Sequence, residues 1–89
     1  MAYYVYIIQS EKDGSFYKGF TENPLQRLAQ HNNNESHYTS TKSPWKLVYV
    51  EEMQTKAGAL IRERNLKKAS IERIMSLIKH PKNKVGAFE

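Results

Sequence analysis

Five side chains in this 89-residue chain are of types that could act together on a phosphodiester: Tyr6, Tyr17, Arg27, His31 and Glu63. Arginine presents a planar, permanently charged fork that matches phosphate oxygens. Histidine can donate to a phosphate or shuttle a proton near neutral pH. A single carboxylate can hold Mg2+ when waters and phosphate oxygens complete the coordination shell. A tyrosine can orient or deprotonate the attacking water. With its ordinary pKa of about 10, it acts as a base only where a metal or cations lower that value. Other chemistries lack their parts. The chain has no cysteine, so it has neither a thiolate nucleophile nor a thiolate metal site. It shows no glycine-rich phosphate loop, no His/Cys zinc spacing and no serine in a nucleophile-elbow context.

The elements that must position these groups can be read in order. Tyr3 to Gln9 and Phe16 to Phe20 are aromatic, β-branched strands, and Asp13-Gly14 supplies the turn between them. If Ser10 pairs with Ser15 across a four-residue loop, Ile8 opposes Tyr17 and Tyr6 opposes Gly19. Tyr6 and Tyr17 then share a face as diagonal neighbours about 7–8 Å apart, with open space beside the Tyr6 ring at Gly19. A one-residue slip would separate them. On spacing alone both also read as ordinary strand aromatics. The run Tyr4-Val5-Tyr6-Ile7-Ile8 barely alternates, which suits a central strand covered on both faces.

Thr21 or Asn23 can cap a helix from Pro24 to about Asn32, with Leu25, Leu28 and Ala29 as its buried stripe. Arg27 and His31 are neighbours on an adjacent face, either facing a phosphate or simply solvated. Residues 32–44 form a polar loop that carries His37, Tyr38, Thr39, Thr41 and Lys42. Trp45 to Glu52 is the third strand. Thr55 caps a helix to about Lys68 whose apolar positions are Ala59, Leu60 and Leu66. Glu63 falls on or beside that stripe, either as a partner of Lys67 or of an arginine from elsewhere in the domain, or as a metal ligand at the edge of a site. Ser70 caps a last helix with Ile71, Ile74, Met75 and Ile78 as its core face, stopped by Pro81. One domain over residues 1–80 is expected, with 81–89 as a flexible tail.

The formal charge of +5 and pI of about 9.5 favour a polyanionic partner. Lys18, Tyr38, Lys42, Arg64, Lys67 and Lys68 are the candidate nucleic-acid contacts, within a basic cluster that also holds Arg62 and Arg73. No secretory leader pattern opens the chain and no apolar run approaches membrane-spanning length, so a cytoplasmic protein with no membrane partner is expected.

With these residues in place the chain resembles the GIY-YIG nuclease superfamily, in its small bacterial branch. Tyr4-Val5-Tyr6 stands where the first motif ends in tyrosine, and Tyr17-Lys18-Gly19 stands for the second. Arg27 and His31 match the family's arginine and the histidine that follows it. Tyr38-Thr39 and Pro44 to Tyr49 match the branch's middle segment, and Ala59 to Glu63 matches the helix bearing the metal-binding glutamate. Tyr4 replaces the first motif's glycine, Lys18 replaces the second motif's isoleucine, and Phe20 follows where some members place lysine. The resemblance implies an α+β fold, a three-stranded antiparallel sheet flanked by helices in the order β-β-α-β-α-α. It implies a divalent-metal endonuclease using Mg2+ or Mn2+, with Tyr6, Tyr17, Arg27 and His31 catalytic and Glu63 on the metal. DNA is the implied substrate, in repair or processing, with specificity from DNA structure, from a protein partner or not at all; a monomer or weak dimer is expected. A binding module that keeps the fold without catalysis is the alternative; a small interaction domain without a nucleic-acid role is a third reading.

Overall fold

The central strand of the sheet, β1 (Tyr3–Ser10), has no polar face. Val5, Tyr6, Ile7 and Ile8 are all essentially inaccessible, as a continuous apolar run between two covered faces requires. The computed structural model describes residues 2–33 and 39–88. In it β2 (Phe16–Thr21) and β3 (Trp45–Met53) flank β1, both antiparallel, in the order β2-β1-β3. Helix α1 (Pro24–Asn32) follows the hairpin, and α2 (Lys56–Lys67) and α3 (Ile71–Ile78) follow β3. This is the expected α+β order.

The hairpin register is the one expected for a four-residue loop. The Ser10 N–H donates to the Ser15 carbonyl at 2.8 Å, and Ile8 then pairs with Tyr17 and Tyr6 with Gly19. Gly14 closes the loop at φ +79°, a left-handed conformation that side chains resist. The exposed Asp13 carboxylate accepts from the Ser15 N–H and hydroxyl, and these bonds hold its pKa down to about 2. Along β3, Ile7 pairs with Tyr49 but Ile8 pairs with Leu47, so Val48 is an extra residue. This bulge lets Val48 and Tyr49 both pack towards the same helices while Leu47 and Val50 face the other way.

Each face of the sheet has its own core. Val5, Ile7 and Tyr49 pack on Ala59 and Leu66 of α2 and on Ile74 and Leu77 of α3. Tyr6, Ile8, Trp45, Leu47 and Val50 pack on Leu28 of α1 and on Val85 and Phe88. Side-chain caps start all three helices. Asn23 accepts from the Gln26 N–H, Thr55 from the Gly58 N–H and Ser70 from the Arg73 N–H.

The helical faces are rotated from the expected stripes. In α1, Leu25 and Ala29 are exposed, and the inward positions are Pro24, Leu28 and His31. In α2, Leu60 is exposed and the inward line runs from Ala59 to Leu66. In α3, Ile71 and Met75 are exposed while Leu77 is buried with Ile74. Helices this short carry two overlapping apolar stripes, and docking on the sheet selects one.

Residues 81–88, expected as a loose tail, pack back on β3. The Asn83 side chain accepts from the N–H groups of Val50 and Val85, both at 3.1 Å, and donates to the carbonyls of Val48 and Ile78, both at 2.9 Å. The Lys84 N–H donates to the Val50 carbonyl at 3.0 Å, and Phe88 stands edge-on to Tyr4 with ring centroids 5.4 Å apart. The segment thereby satisfies the outer edge of β3. Asn83→Ala removes the shared partner of several main-chain groups. It should lower unfolding free energy by about 1–3 kcal/mol in urea denaturation; an unchanged midpoint would show that this edge is satisfied without it.

Candidate active site

Tyr6 is positioned by what β2 lacks opposite it. A Cβ on Gly19 would lie 2.7 Å from the Tyr6 Oη and 2.9 Å from its Cζ, so any side chain there would displace the phenol. The ring fills the space beside Gly19 that the strand pairing leaves open. Its Oη meets His31 Nε2 at 3.0 Å, and His31 Nδ1 meets Thr39 Oγ1 at 2.7 Å. Tyr6, His31 and Thr39 are all at most 1 % exposed. The Trp45 indole N–H donates to the Thr39 carbonyl at 3.0 Å, and the Asn32 amide donates to the Trp45 carbonyl at 3.0 Å. These bonds pin the chain after residue 38 to the start of β3 and the end of α1.

Tyr17 shares the Tyr6 face, as the register requires, and packs edge-on to His31 at 5.0 Å and to Trp45 at 6.5 Å. It is partly exposed, whereas Tyr6 is not. Arg27, one turn before His31, is half-buried. It donates to Gln30 Oε1 at 2.9 Å, and its positive charge favours the ionised Tyr6 phenol. The buried Tyr6 proton needs an acceptor, and His31 Nε2, its hydrogen-bond partner, supplies it. That fixes the imidazole as the Nδ1–H tautomer donating to Thr39.

The electrostatics agree with this assignment. Burial pushes the Tyr6 phenol up to about 12. The Arg27 guanidinium opposes that rise, while the charges of Tyr17 and Glu63 add to it. Burial, reinforced by the Arg27 charge, pulls His31 down to about 4. At neutral pH the pair is a protonated phenol on a neutral imidazole. His31 is therefore neither solvated nor phosphate-facing, the two placements expected of it. It stands behind Tyr6.

Glu63 stands on α2 beside Lys67, which lines a cavity with Tyr17. Its side chain is 18 % exposed and sits 3.6 Å from the largely exposed ammonium of Lys67, an i,i+4 pair. Of the two partners expected for Glu63, the structure supplies Lys67. Lys67 also lines a surface cavity of about 520 Å3 with Phe16, Tyr17 and Lys18. Tyr17 thus stands between the buried Tyr6–His31 pair and the cavity.

The remaining basic candidates are dispersed. Lys42 donates to the Ser15 hydroxyl at 3.2 Å and lies 3.6 Å from Asp13, at the hairpin loop. Arg64 and Lys68 are exposed on α2 and at its C-cap. Tyr38 and His37 lie outside the described residues. Thr39, placed by the sequence in the polar loop, is fully buried against His31. Its role behind the site had no sequence signal, because it depends on a contact eight residues away. His31 did have one: Pro24, Leu28 and His31 fall at i, i+4, i+7.

The model of the GIY-YIG catalytic domain matches residues 2–74 of this chain. The chain belongs to the GIY-YIG family. Its GIY-YIG relatives include a UPF0213 protein of Staphylococcus saprophyticus, 39 % identical over 77 residues, covering 85 % of this chain and 93 % of that protein. A UPF0213 protein of Syntrophus aciditrophicus is 38 % identical over 78 residues, covering 85 % and 88 %. The solution NMR structure of the UPF0213 protein BH0048 from Bacillus halodurans superposes with a TM-score of 0.59 at 28 % identity, covering 96 % of this chain and 90 % of that one. The fold shared with that structure extends through nearly the whole chain. No helix among the described residues is long and apolar enough to cross a membrane.

The depressed His31 pKa has a consequence for stability. Below about pH 6.5 an unfolded chain protonates this imidazole while the folded one does not. Its contribution is therefore complete above that pH, is lost as pH falls towards about 4, and stays constant below. Urea midpoints of wild type and His31→Gln at neutral and mildly acidic pH should show a steeper acid loss in wild type. Equal slopes would show that His31 is not held neutral.

Proposed function

We propose that this GIY-YIG domain is a divalent-metal-dependent endonuclease that hydrolyses DNA phosphodiester bonds. The observation that carries the proposal is the shared face of Tyr6 and Tyr17: Tyr17 lines a cavity with Lys67, the ion-pair partner of Glu63, and Arg27 lies one turn before the His31 that meets Tyr6. This arrangement gathers two phenols, a guanidinium and a carboxylate on a basic protein.

The donor set suits a hard cation. Among the described residues no three His, Cys, Asp or Glu side chains cluster, so the protein offers one carboxylate, Glu63. One carboxylate with waters and substrate oxygens is a common shell for Mg2+ or Mn2+, whereas zinc sites rely on three or four protein ligands. When bound, such a cation supplies positive charge to the phosphate oxygens and a polarised water.

The chain's own residues take the other parts. Arg27, held by Gln30, orients the scissile phosphate and stabilises the charge that builds on it. Tyr6, its phenol raised to about 12 and bonded to His31, keeps its proton. Tyr17, partly exposed beside the cavity, is the phenol placed to orient the attacking water. Lys18 and Lys67 line the same cavity and would contact flanking phosphates. Such contacts read no bases, so selection falls to DNA structure or a protein partner, as in the processing of branched or damaged DNA.

Glu63→Ala tests the assignment. The Glu63–Lys67 pair is worth at most about 1 kcal/mol, so the variant should melt close to wild type. Cleavage of nicked, flapped and branched duplexes with Mg2+ or Mn2+ should fall by about 100-fold or more. Metal-free DNA binding should hold or tighten, because a negative charge has gone. A folded variant that cleaves as wild type defeats the metal role of Glu63. A wild type that binds DNA and cuts none of these substrates favours the binding-module reading. In either case the DNA affinity should fall steeply with salt and ignore sequence; an affinity that does not change between two salt concentrations would exclude a phosphate-dominated interface.

A further inference from the structure

We infer that the protein carries a second phosphoryl-binding groove, on the other face of the sheet from Tyr6 and beside the opposite edge strand. The basic cluster of the sequence does not form one surface. Lys67 lines the cavity at β2, whereas Arg62 and Arg73 line a separate cavity of about 230 Å3 beside β3 with His80 and Lys82. Among the described residues none lines both. Arg62 and Lys67 both belong to α2, so that helix separates the two cavities.

The groove is built on a fixed base. Glu51 accepts from Arg62 Nε at 2.8 Å and from the Tyr49 hydroxyl at 3.0 Å. One carboxylate is thus engaged in holding one guanidinium, whose remaining N–H groups form a preset fork. Tyr49 and Leu77, both nearly inaccessible, give the groove an apolar wall. His80 Nδ1 accepts from the Lys82 main-chain N–H at 3.1 Å, so the neutral ring carries its proton on Nε2 and is a donor. Among the described residues neither Arg73 nor Lys82 enters an ion pair. Three cations and an imidazole donor therefore line a cavity that holds one carboxylate.

Charge and donor type select an anion with several acceptor oxygens, and the fork geometry favours phosphate. Size narrows the source. A volume of about 230 Å3 is below the roughly 300 Å3 at which small-molecule pockets begin. It fits one phosphoryl group presented by a longer chain better than an enclosed metabolite. The groove does not depend on the nuclease reading, since it shares no residue with that site.

The test is a backbone-amide NMR titration of the full chain without divalent metal, using a blunt DNA duplex in one arm and inorganic phosphate in the other. Wild type is compared with Arg73→Ala/Lys82→Ala, and with the charge-keeping Arg73→Lys/Lys82→Arg. The duplex should shift amides of α3 and of residues 80–83. The alanine pair should weaken duplex binding severalfold and make the salt dependence shallower by about one unit for each phosphate no longer neutralised. The charge-keeping pair should retain most of the affinity. Shifts at the same amides with phosphate alone would show that a free phosphoryl group suffices; shifts with the duplex only would assign the groove to a chain phosphate. Amides of 73–83 that move with neither ligand, or an alanine pair that binds both as wild type does, would overturn the inference. Cleavage plays no part in these readouts, so a failed nuclease assay leaves them intact.

Discussion

The close approach of the Tyr6 phenol to Gly19, and its bond to His31 behind, is the constraint on which the rest of the site depends. A phenol, an imidazole and a threonine hydroxyl are removed from water together, and each would destabilise the fold if left without a partner. Among the described residues no buried side-chain nitrogen or oxygen lacks one. The chain of bonds from Thr39 through His31 to Tyr6 crosses from the loop to α1 to β1, so forming it brings these segments into register. Gly19 then brings β2 within reach of the ring. Tyr17 packs edge-on against this dry assembly at His31, and Arg27 stands one turn before that histidine on α1.

The division between the two tyrosines follows from depth. They occupy the same face of the hairpin, two residues apart in the pairing, yet one is sealed and the other meets a cavity. Burial makes ionisation of the inner phenol harder and makes the outer one the accessible group. On α2, Glu63 and Lys67 lie towards the tyrosines while Arg62 lies towards Glu51 and β3. The helix presents different charges to two regions because residues one position apart point about 100° apart around its axis.

Much of this is legible in the chain because it is set locally. The Ser10–Ser15 closure and the two-residue period of a strand fix which tyrosines share a face. The caps at Asn23, Thr55 and Ser70 and the proline at 24 mark helix starts within a few residues. The helical faces are not legible in the same way. Ile71 and Met75 fit a stripe as well as Leu77 does, and only the sheet decides which is covered. Asn83 reads as tail in the sequence because all of its value lies in bonds to strand β3 and the end of α3. His31 reads as a surface residue when histidine type is given more weight than its position in line with Pro24 and Leu28.

At the centre of the site, His31 is assigned as a neutral Nδ1–H imidazole that accepts the Tyr6 hydroxyl's hydrogen bond. Nitrogen NMR of histidine-labelled protein measures this directly, since ring shifts report both tautomer and charge. The prediction is one histidine in the Nδ1–H form that stays neutral down to about pH 5, with the ordinary titration of about pH 6.5 absent. Conversion of that signal to the Nε2–H form on Tyr6→Phe would further assign it. A His31 that carries Nε2–H in wild type, or that becomes charged near its ordinary pKa, would contradict the account.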